Sequence, residues 1–226
     1  MESETKNEMR TTLYLGIDPT HYKTENRILH MPLIKIIKRE KDSKELQKIF
    51  DQIPQYTHII FTSKSSVRIF LSDFKSRGHT LDELAYKHII AVGHVTAYYL
   101  KTEGLVPSYI SADETEEGVV RLLSHMDLKE AFVLLPKSAH PRAHLIHFLV
   151  EHEVRHKICI LYDTVEEIPR EPIDLEDVDE VVFTNPLTVE TFFSIYPIIP
   201  SSIKLHPLGN ITREALRNKL KQLEPV

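Results

Sequence analysis

Cysteine is almost missing from this chain: Cys159 is the one thiol in 226 residues. No internal disulfide can form, which suits a reducing compartment. Cys159 lies in the apolar run KICILY and reads as a buried thiol rather than a reactive one. Glycine is scarce too, with six residues. No turn reaches the glycine density of a dinucleotide-binding or Walker loop, so NAD and ATP are poor ligands for it. An excess of cationic charge is absent, the formal net charge being −5. That balance, with no basic aromatic strip, argues against nucleic acid or an anionic membrane as partner. Long apolar runs are also lacking; none approaches the roughly 18–20 residues of a membrane span. The opening MESETKNEMR is polar and reads as a frayed end. A signal peptide would need an apolar stretch after a basic start. These absences point to a soluble, cytoplasmic protein.

What is present is a pattern stated twice. Residues 59–70 read IIFTSKSSVRIF and residues 181–193 read VVFTNPLTVETFF. Downstream of the first comes AVGHVTAYYLK; downstream of the second comes PLGNITREALR. Each half carries an apolar run ending in Phe-Thr, a small polar turn and a helical pattern. Each then carries a second apolar run, a Gly-x-x-Thr and another helix. The separation of the two motifs is 34 residues in the first half (Thr62 to Thr96) and 28 in the second (Thr184 to Thr212). Two related α/β units are expected, with a ligand site where they face each other.

Strand-like runs fall at 11–17, 33–38, 58–62, 88–92, 108–110, 131–135, 157–162, 180–184 and 204–208. Most are short and apolar on both faces, as buried parallel strands are. Helical patterns lie between them at 44–51, 66–76, 96–103, 117–125, 141–151 and 211–222. Alternation of this kind predicts parallel sheets with right-handed crossovers. The fold class expected is therefore α/β, two related parallel-sheet domains, one of them discontinuous, joined by a two-stranded linker. The continuous domain spans 40–160. The discontinuous one combines 11–32 with 168–226, because the second repeat has too few strands of its own and the run TTLYLGI is the obvious donor. The segments 33–39 and 161–167 are the linker strands.

FTSKSS, FTNP, VGHVT, LGNIT and LLPKSAHPR each place small polar residues between a strand end and a helix start. A helix start leaves backbone N–H groups unpaired and carries partial positive charge. A side chain can cap it, and an anion can dock there. In open parallel sheets such turns line the crevice at the carboxyl ends of the strands. Taken singly each is an N-cap; taken as a paired set they read as a binding surface for an anion.

The same residues carry a family resemblance. IIFTSKSSV, IAVGHVTAYYLKTEGLVP with ETEEGVVRLL, LLPKSAHPRAHLIHFL, ILYDTV, VVFTNPLTVETF and PLGNITREAL, in that order, resemble uroporphyrinogen-III synthase from about 58 to 217. The resemblance implies a lyase of tetrapyrrole and haem biosynthesis that uses no cofactor and no metal. Its substrate is the carboxylate-rich linear tetrapyrrole hydroxymethylbilane. The family removes water and closes the macrocycle while inverting the terminal pyrrole ring, through an azafulvene and a spiro intermediate. Tyr162 matches the family's recurrent tyrosine and is the candidate general acid. Thr96 and Thr212 match its Gly-x-x-Thr threonines, and Ser63 its first-turn serine. Together with Asn185, which stands where serine is common, these are the candidate contacts for substrate carboxylates. Lys64, Lys137 and Arg142 would add charge. A monomer is expected, functionally coupled to hydroxymethylbilane synthase. The chain departs from the family in strand one, where LYLGIDP lacks a usual Thr-Arg, and in stopping soon after LGNITREALRNKL.

Residues 152–156, HEVRH, match the His-Glu-x-x-His of zinc peptidases. Such a peptidase keeps the motif inside a helix, whereas here it spans a helix end and a turn, so metal catalysis is not expected. The other alternative is a two-lobed protein that closes on an anionic ligand without chemistry; the repeat and the caps would look the same.

Overall fold

The computed structural model describes residues 9–40, 43–139 and 144–223. Strands and helices alternate along it: β1 (Thr11–Tyr14), β2 (Arg27–His30), β3 (Ile34–Lys38), α1 (Lys44–Asp51), β4 (His58–Phe61), α2 (Lys64–Ser76), β5 (His88–Val92), α3 (Gly93–Thr102), β6 (Tyr109–Ser111), α4 (Glu116–Leu123), β7 (Phe132–Ser138), α5 (His144–Glu151), β8 (Arg155–Glu166), β9 (Glu180–Phe183), α6 (Pro186–Ile195), β10 (Lys204–Pro207) and α7 (Asn210–Leu223). One sheet has the order β10-β9-β1-β2 and the other β3-β8-β7-β4-β5-β6. Every pair in the first is parallel, as are the pairs linking β8, β7, β4, β5 and β6 in the second. The Arg39 N–H donates to Leu161 O and the Glu167 N–H to Leu33 O. The numbers run in opposite directions, so β3 joins β8 antiparallel.

The chain divides into two compact units. One is Ile37–Thr164; the other takes the described residues up to Ile36 and from Val165 onward. Each has its own core. In the discontinuous unit Leu13, Leu15, Val181 and Phe183 of the sheet pack with Val189, Phe192 and Phe193 of α6 and Leu216 of α7. In the continuous unit one sheet face buries Ile60, Ile90, Val133 and Leu135 against Val119 and Leu123 of α4 and Leu145 and Leu149 of α5. Phe50, Phe70 and Phe74 form a second stack there, with Phe50 and Phe70 5.3 Å apart. Each such side chain contributes roughly 1.5–3 kcal/mol by leaving water.

The elements follow local chemistry. β4 reads HIIF and is buried throughout, as a central strand must be. α1 places Leu46, Ile49 and Phe50 on one face, and the Ser43 side chain accepts the Leu46 N–H to cap it. Two expected helices start earlier than their apolar spacing suggests, α2 at Lys64 and α3 at Gly93, because the capping turns themselves are drawn into the first turn. β2 is a strand the pattern does not announce. It reads RILH with exposed ends, which is edge-strand chemistry, and it gains its order from pairing with β1. Of the expected helix at 141–151, residues 144–151 are helical; Pro141 and Arg142 lie outside the described residues.

Candidate functional site

Both sheets are parallel where it matters, so the turns after β4 and β5 lie at one edge, and those after β9 and β10 likewise. The two units build these turns in the same way. Ser63 and Asn185 both sit in extended backbone, at φ −161° and −160°. The Ser63 Oγ accepts the Ser66 N–H at 3.1 Å, and the Asn185 Oδ1 accepts the Thr188 N–H at 3.0 Å. In return the Ser66 hydroxyl donates to Ser63 O at 2.8 Å and the Thr188 hydroxyl to Asn185 O at 2.7 Å. Both cap acceptors are therefore engaged with their own helices.

The second turn of each pair is different, and again duplicated. Gly93 and Gly209 hold φ of +73° and +82°, in the left-handed region that favours glycine. At Gly93 a Cβ would also strike the Glu114 side chain. Three residues on, Thr96 and Thr212 sit in the first turns of α3 and α7, 4% and 3% exposed. Among the described residues neither threonine hydroxyl is taken up by a hydrogen bond. Val92, at the N-cap of α3, supplies no side-chain acceptor, and the first N–H of the helix, that of Gly93, donates instead to Ser111 Oγ at 3.2 Å. Each unit thus presents one turn with its acceptor engaged in capping and one with its threonine hydroxyl available. Backbone N–H groups and a hydroxyl at a helix start suit a carboxylate.

Tyr162 stands in β8 of the continuous unit, beside the end of β7. A register shift between Lys137 and Ser138 sets Ser138 opposite Tyr162, and the Ala139 N–H donates to Tyr162 O at 2.8 Å. The Tyr162 hydroxyl lies 3.0 Å from Ser63 Oγ. Burial pushes the phenol above its ordinary value of 10.0, and the hydrogen bond with Ser63 pulls part of the way back. Tyr162 keeps its proton through neutral pH and can give it up only to a partner at close range. Sequence reasoning names both residues but contains no signal that joins them, since they are 99 positions apart.

The expected cations divide. Lys64 opens α2, with its ammonium 5.8 Å from the centre of the Tyr99 ring. Lys137, expected to add charge for the substrate's carboxylates, is 3% exposed. Its Nζ donates to Glu116 Oε1 at 3.0 Å, and Glu116 Oε2 accepts the Leu145 N–H at 3.2 Å. The apolar alternation of β7 explains the correction: Lys137 shares a face with Val133 and Leu135, which pack against α4 and α5.

The His-Glu-x-x-His segment is split. α5 ends at Glu151, Glu153 adopts φ 54°, and β8 begins at Arg155. The His152 Nδ1 meets Phe148 O at 3.0 Å and the His156 Nδ1 meets Val154 O at 2.9 Å. Among the described residues no group of three or more His, Cys, Asp or Glu is placed to hold a metal ion. Cys159 is fully buried, and burial pushes its thiol up to about 12, so it is inert.

Comparison with known proteins bears on the family and the fold. The family uroporphyrinogen-III synthase HemD matches residues 23–224. The porphyrin biosynthesis protein HemD of Ruminiclostridium josui is 25% identical over 213 residues, covering 90% of this chain and 40% of that protein. The chain thus spans about two fifths of the length of that curated relative. Among solved structures, a mutant uroporphyrinogen III synthase from the extremely thermophilic bacterium Thermus thermophilus is similar at TM-score 0.64 and 21% identity, across 92% of this chain and 88% of that one. Uroporphyrinogen-III synthetase from Helicobacter pylori is similar at TM-score 0.61 and 18% identity, across 93% and 89%. At these identities the likeness is one of fold; the family match extends over most of the sequence, and the chain belongs to the uroporphyrinogen-III synthase family.

Proposed function

We propose that the chain is a uroporphyrinogen-III synthase, a lyase that closes hydroxymethylbilane with loss of water and inversion of the terminal pyrrole ring. The observation that carries this reading is the twinned strand-end device, a left-handed glycine followed by an available threonine hydroxyl in each unit, in a chain of that family. Thr96 and Thr212, with the backbone N–H groups beside them, bind substrate carboxylates. Ser63, Lys64 and Asn185 shape and charge the neighbouring turns. Lys137, held by Glu116, is left out of the binding set. Tyr162 donates its proton to the departing hydroxyl, so that water leaves and an azafulvene forms. The terminal ring attacks through its substituted carbon, and the resulting spiro intermediate fragments and recloses. Loss of the ring-carbon proton restores the pyrrole and returns a proton to the phenolate. Pyrrole electrons drive the bond changes; the protein supplies position and one acid.

Cytoplasmic placement, action as a monomer and functional coupling to hydroxymethylbilane synthase go with this reading. Among the described residues no helix is long and apolar enough to cross a membrane. The deciding experiment generates hydroxymethylbilane in situ, adds the protein, oxidises the products and separates the porphyrin isomers. Isomer III in excess is expected. Isomer I alone, from protein shown to be folded, would overturn the reading in favour of a protein that binds an anion without chemistry.

A further inference from the structure

The direction of the Ser63–Tyr162 hydrogen bond decides where the phenolic proton points. Among the described residues Ser63 Oγ has two hydrogen-bond partners, the Ser66 N–H at 3.1 Å and the Tyr162 hydroxyl at 3.0 Å. An amide N–H can only donate. The hydrogen on Ser63 therefore has one protein acceptor, the Tyr162 oxygen, and a part-buried hydroxyl is best satisfied by pairing its proton there. Tyr162 has Ser63 as its one side-chain partner among the described residues. If Ser63 donates, the phenol's own hydrogen is free to point elsewhere.

We infer that Ser63 is a positioning residue: it donates to the Tyr162 oxygen, holds the ring and turns the phenolic proton away from itself toward the reacting group. Its consequence for turnover rests on the synthase reading; the bond direction does not. In the reaction the C–O bond to the hydroxyl breaks with both electrons going to oxygen. The Tyr162 proton completes the water that leaves. The Ser63 hydrogen stays on Ser63 and stabilises the phenolate until the macrocycle returns a proton. The cap on α2 thus acts twice, since the Ser66 N–H fixes the serine oxygen and thereby commits its hydrogen to Tyr162. This differs from the role of a carboxylate contact, which the residue's place in the turn alone would suggest.

The test reads the phenol directly. Protein uniformly labelled with 3-fluorotyrosine, whose phenols titrate at lower pH than tyrosine, is followed by fluorine NMR as pH rises. The Tyr162 signal is assigned by its loss in Tyr162→Phe. A donor to the ionised oxygen lowers a phenol's pKa, and an acceptor for its proton raises it. Ser63→Ala is therefore expected to move the Tyr162 titration upward, and Ser63→Thr, which keeps both cap and donor, to return it to the wild-type position. A downward shift in Ser63→Ala would mean that Tyr162 donates to Ser63, and no shift would mean that the bond is idle; either overturns the inference. Should Ser63→Ala fail to fold for want of its cap, Ser63→Gly, which is a far better N-cap residue than alanine, is read in the same way. In the isomer assay Ser63→Ala is expected to lose about tenfold or more in kcat with KM little changed, within the range of general-acid effects. Loss in KM alone would return Ser63 to a binding role and overturn the positioning one. If the wild type makes no isomer III, the synthase reading falls, while the titration order still decides Ser63.

Discussion

A single hydroxyl separates the chemical part of Tyr162 from its structural part. Tyr162→Phe keeps a buried ring and removes the acid. It is expected to lower kcat for isomer III by about 10²-fold or more, with a modest fall in melting temperature because the Ser63 hydrogen loses its acceptor; wild-type turnover would remove Tyr162 from the chemistry. Thr96 and Thr212 invite a parallel comparison. Their hydroxyls have no partner among the described residues, so valine at either position should fold as well as threonine. A lost hydrogen bond to a charged carboxylate is worth roughly 1.5–3 kcal/mol, and KM is expected to rise about tenfold or more for each; steady-state kinetics on the two variants checks this. His58 provides a pH signature away from these turns. It is buried, its Nδ1 lies 2.7 Å from Thr57 Oγ1 and its ring 4.6 Å from that of His88. Burial, then the neighbouring His88, lowers it from 6.5 to about 4. The unfolded chain binds the extra proton between those values, so stability rises with pH across that window. The His58 contribution is complete above about 6.5 and is lost as pH falls through about 4. Melting temperature should drop on acidification over this range, and His58→Gln should flatten part of the slope; an unchanged slope would rule His58 out as its source. Identity and spacing make these residues legible as candidates. Their states are not legible, because whether a hydroxyl is capped, paired or available depends on neighbours far along the chain.

At the scale of elements, the buried Lys137–Glu116 pair ties β7 to the start of α4, and Glu116 also reaches the Leu145 N–H of α5. Breaking one side of such a pair leaves an uncompensated charge and costs about 3–5 kcal/mol, whereas replacing both partners with apolar residues of similar volume is far milder. Lys137→Met alone should therefore destabilise the continuous unit strongly, and adding Glu116→Leu should recover much of the loss in urea melts. Equal and additive losses would show that the pair is exposed in solution. Here the sequence misleads for a physical reason: a lysine followed by Ser-Ala and His-Pro reads as loop charge, but the strand runs on to Ser138 and puts the lysine on its inner face. Strand β2 is the converse case. RILH carries too little apolar pattern to announce itself, and its order comes from β1. The short central strands β4, β5 and β9 are legible because burial on both faces demands apolar runs.

The whole chain is one architecture used twice with unequal support. The six-stranded sheet lies within 34–166, its strands β3 and β8 running past the continuous unit's bounds at Ile37 and Thr164. That length, about 130 residues, is ordinary for a domain that folds alone. The other unit depends on strands from both ends of the chain. β1 lies between β9 and β2, and all four of its residues are buried. Without β1 the pair β9 and β10 keeps two strands and loses the contacts of Leu13 and Leu15 to Phe183, Phe192 and Val189. A two-stranded remnant is marginal in water. Residues 34–166 expressed alone should show native-like circular dichroism and a cooperative melt. Residues 168–226 alone should not, and fusing residues 9–33 to them through a flexible linker should restore cooperativity. Cooperative folding of 168–226 without that segment would show that β1 is an ornament of the sheet. Its failure even with the segment would show that this unit needs the rest of the chain to fold.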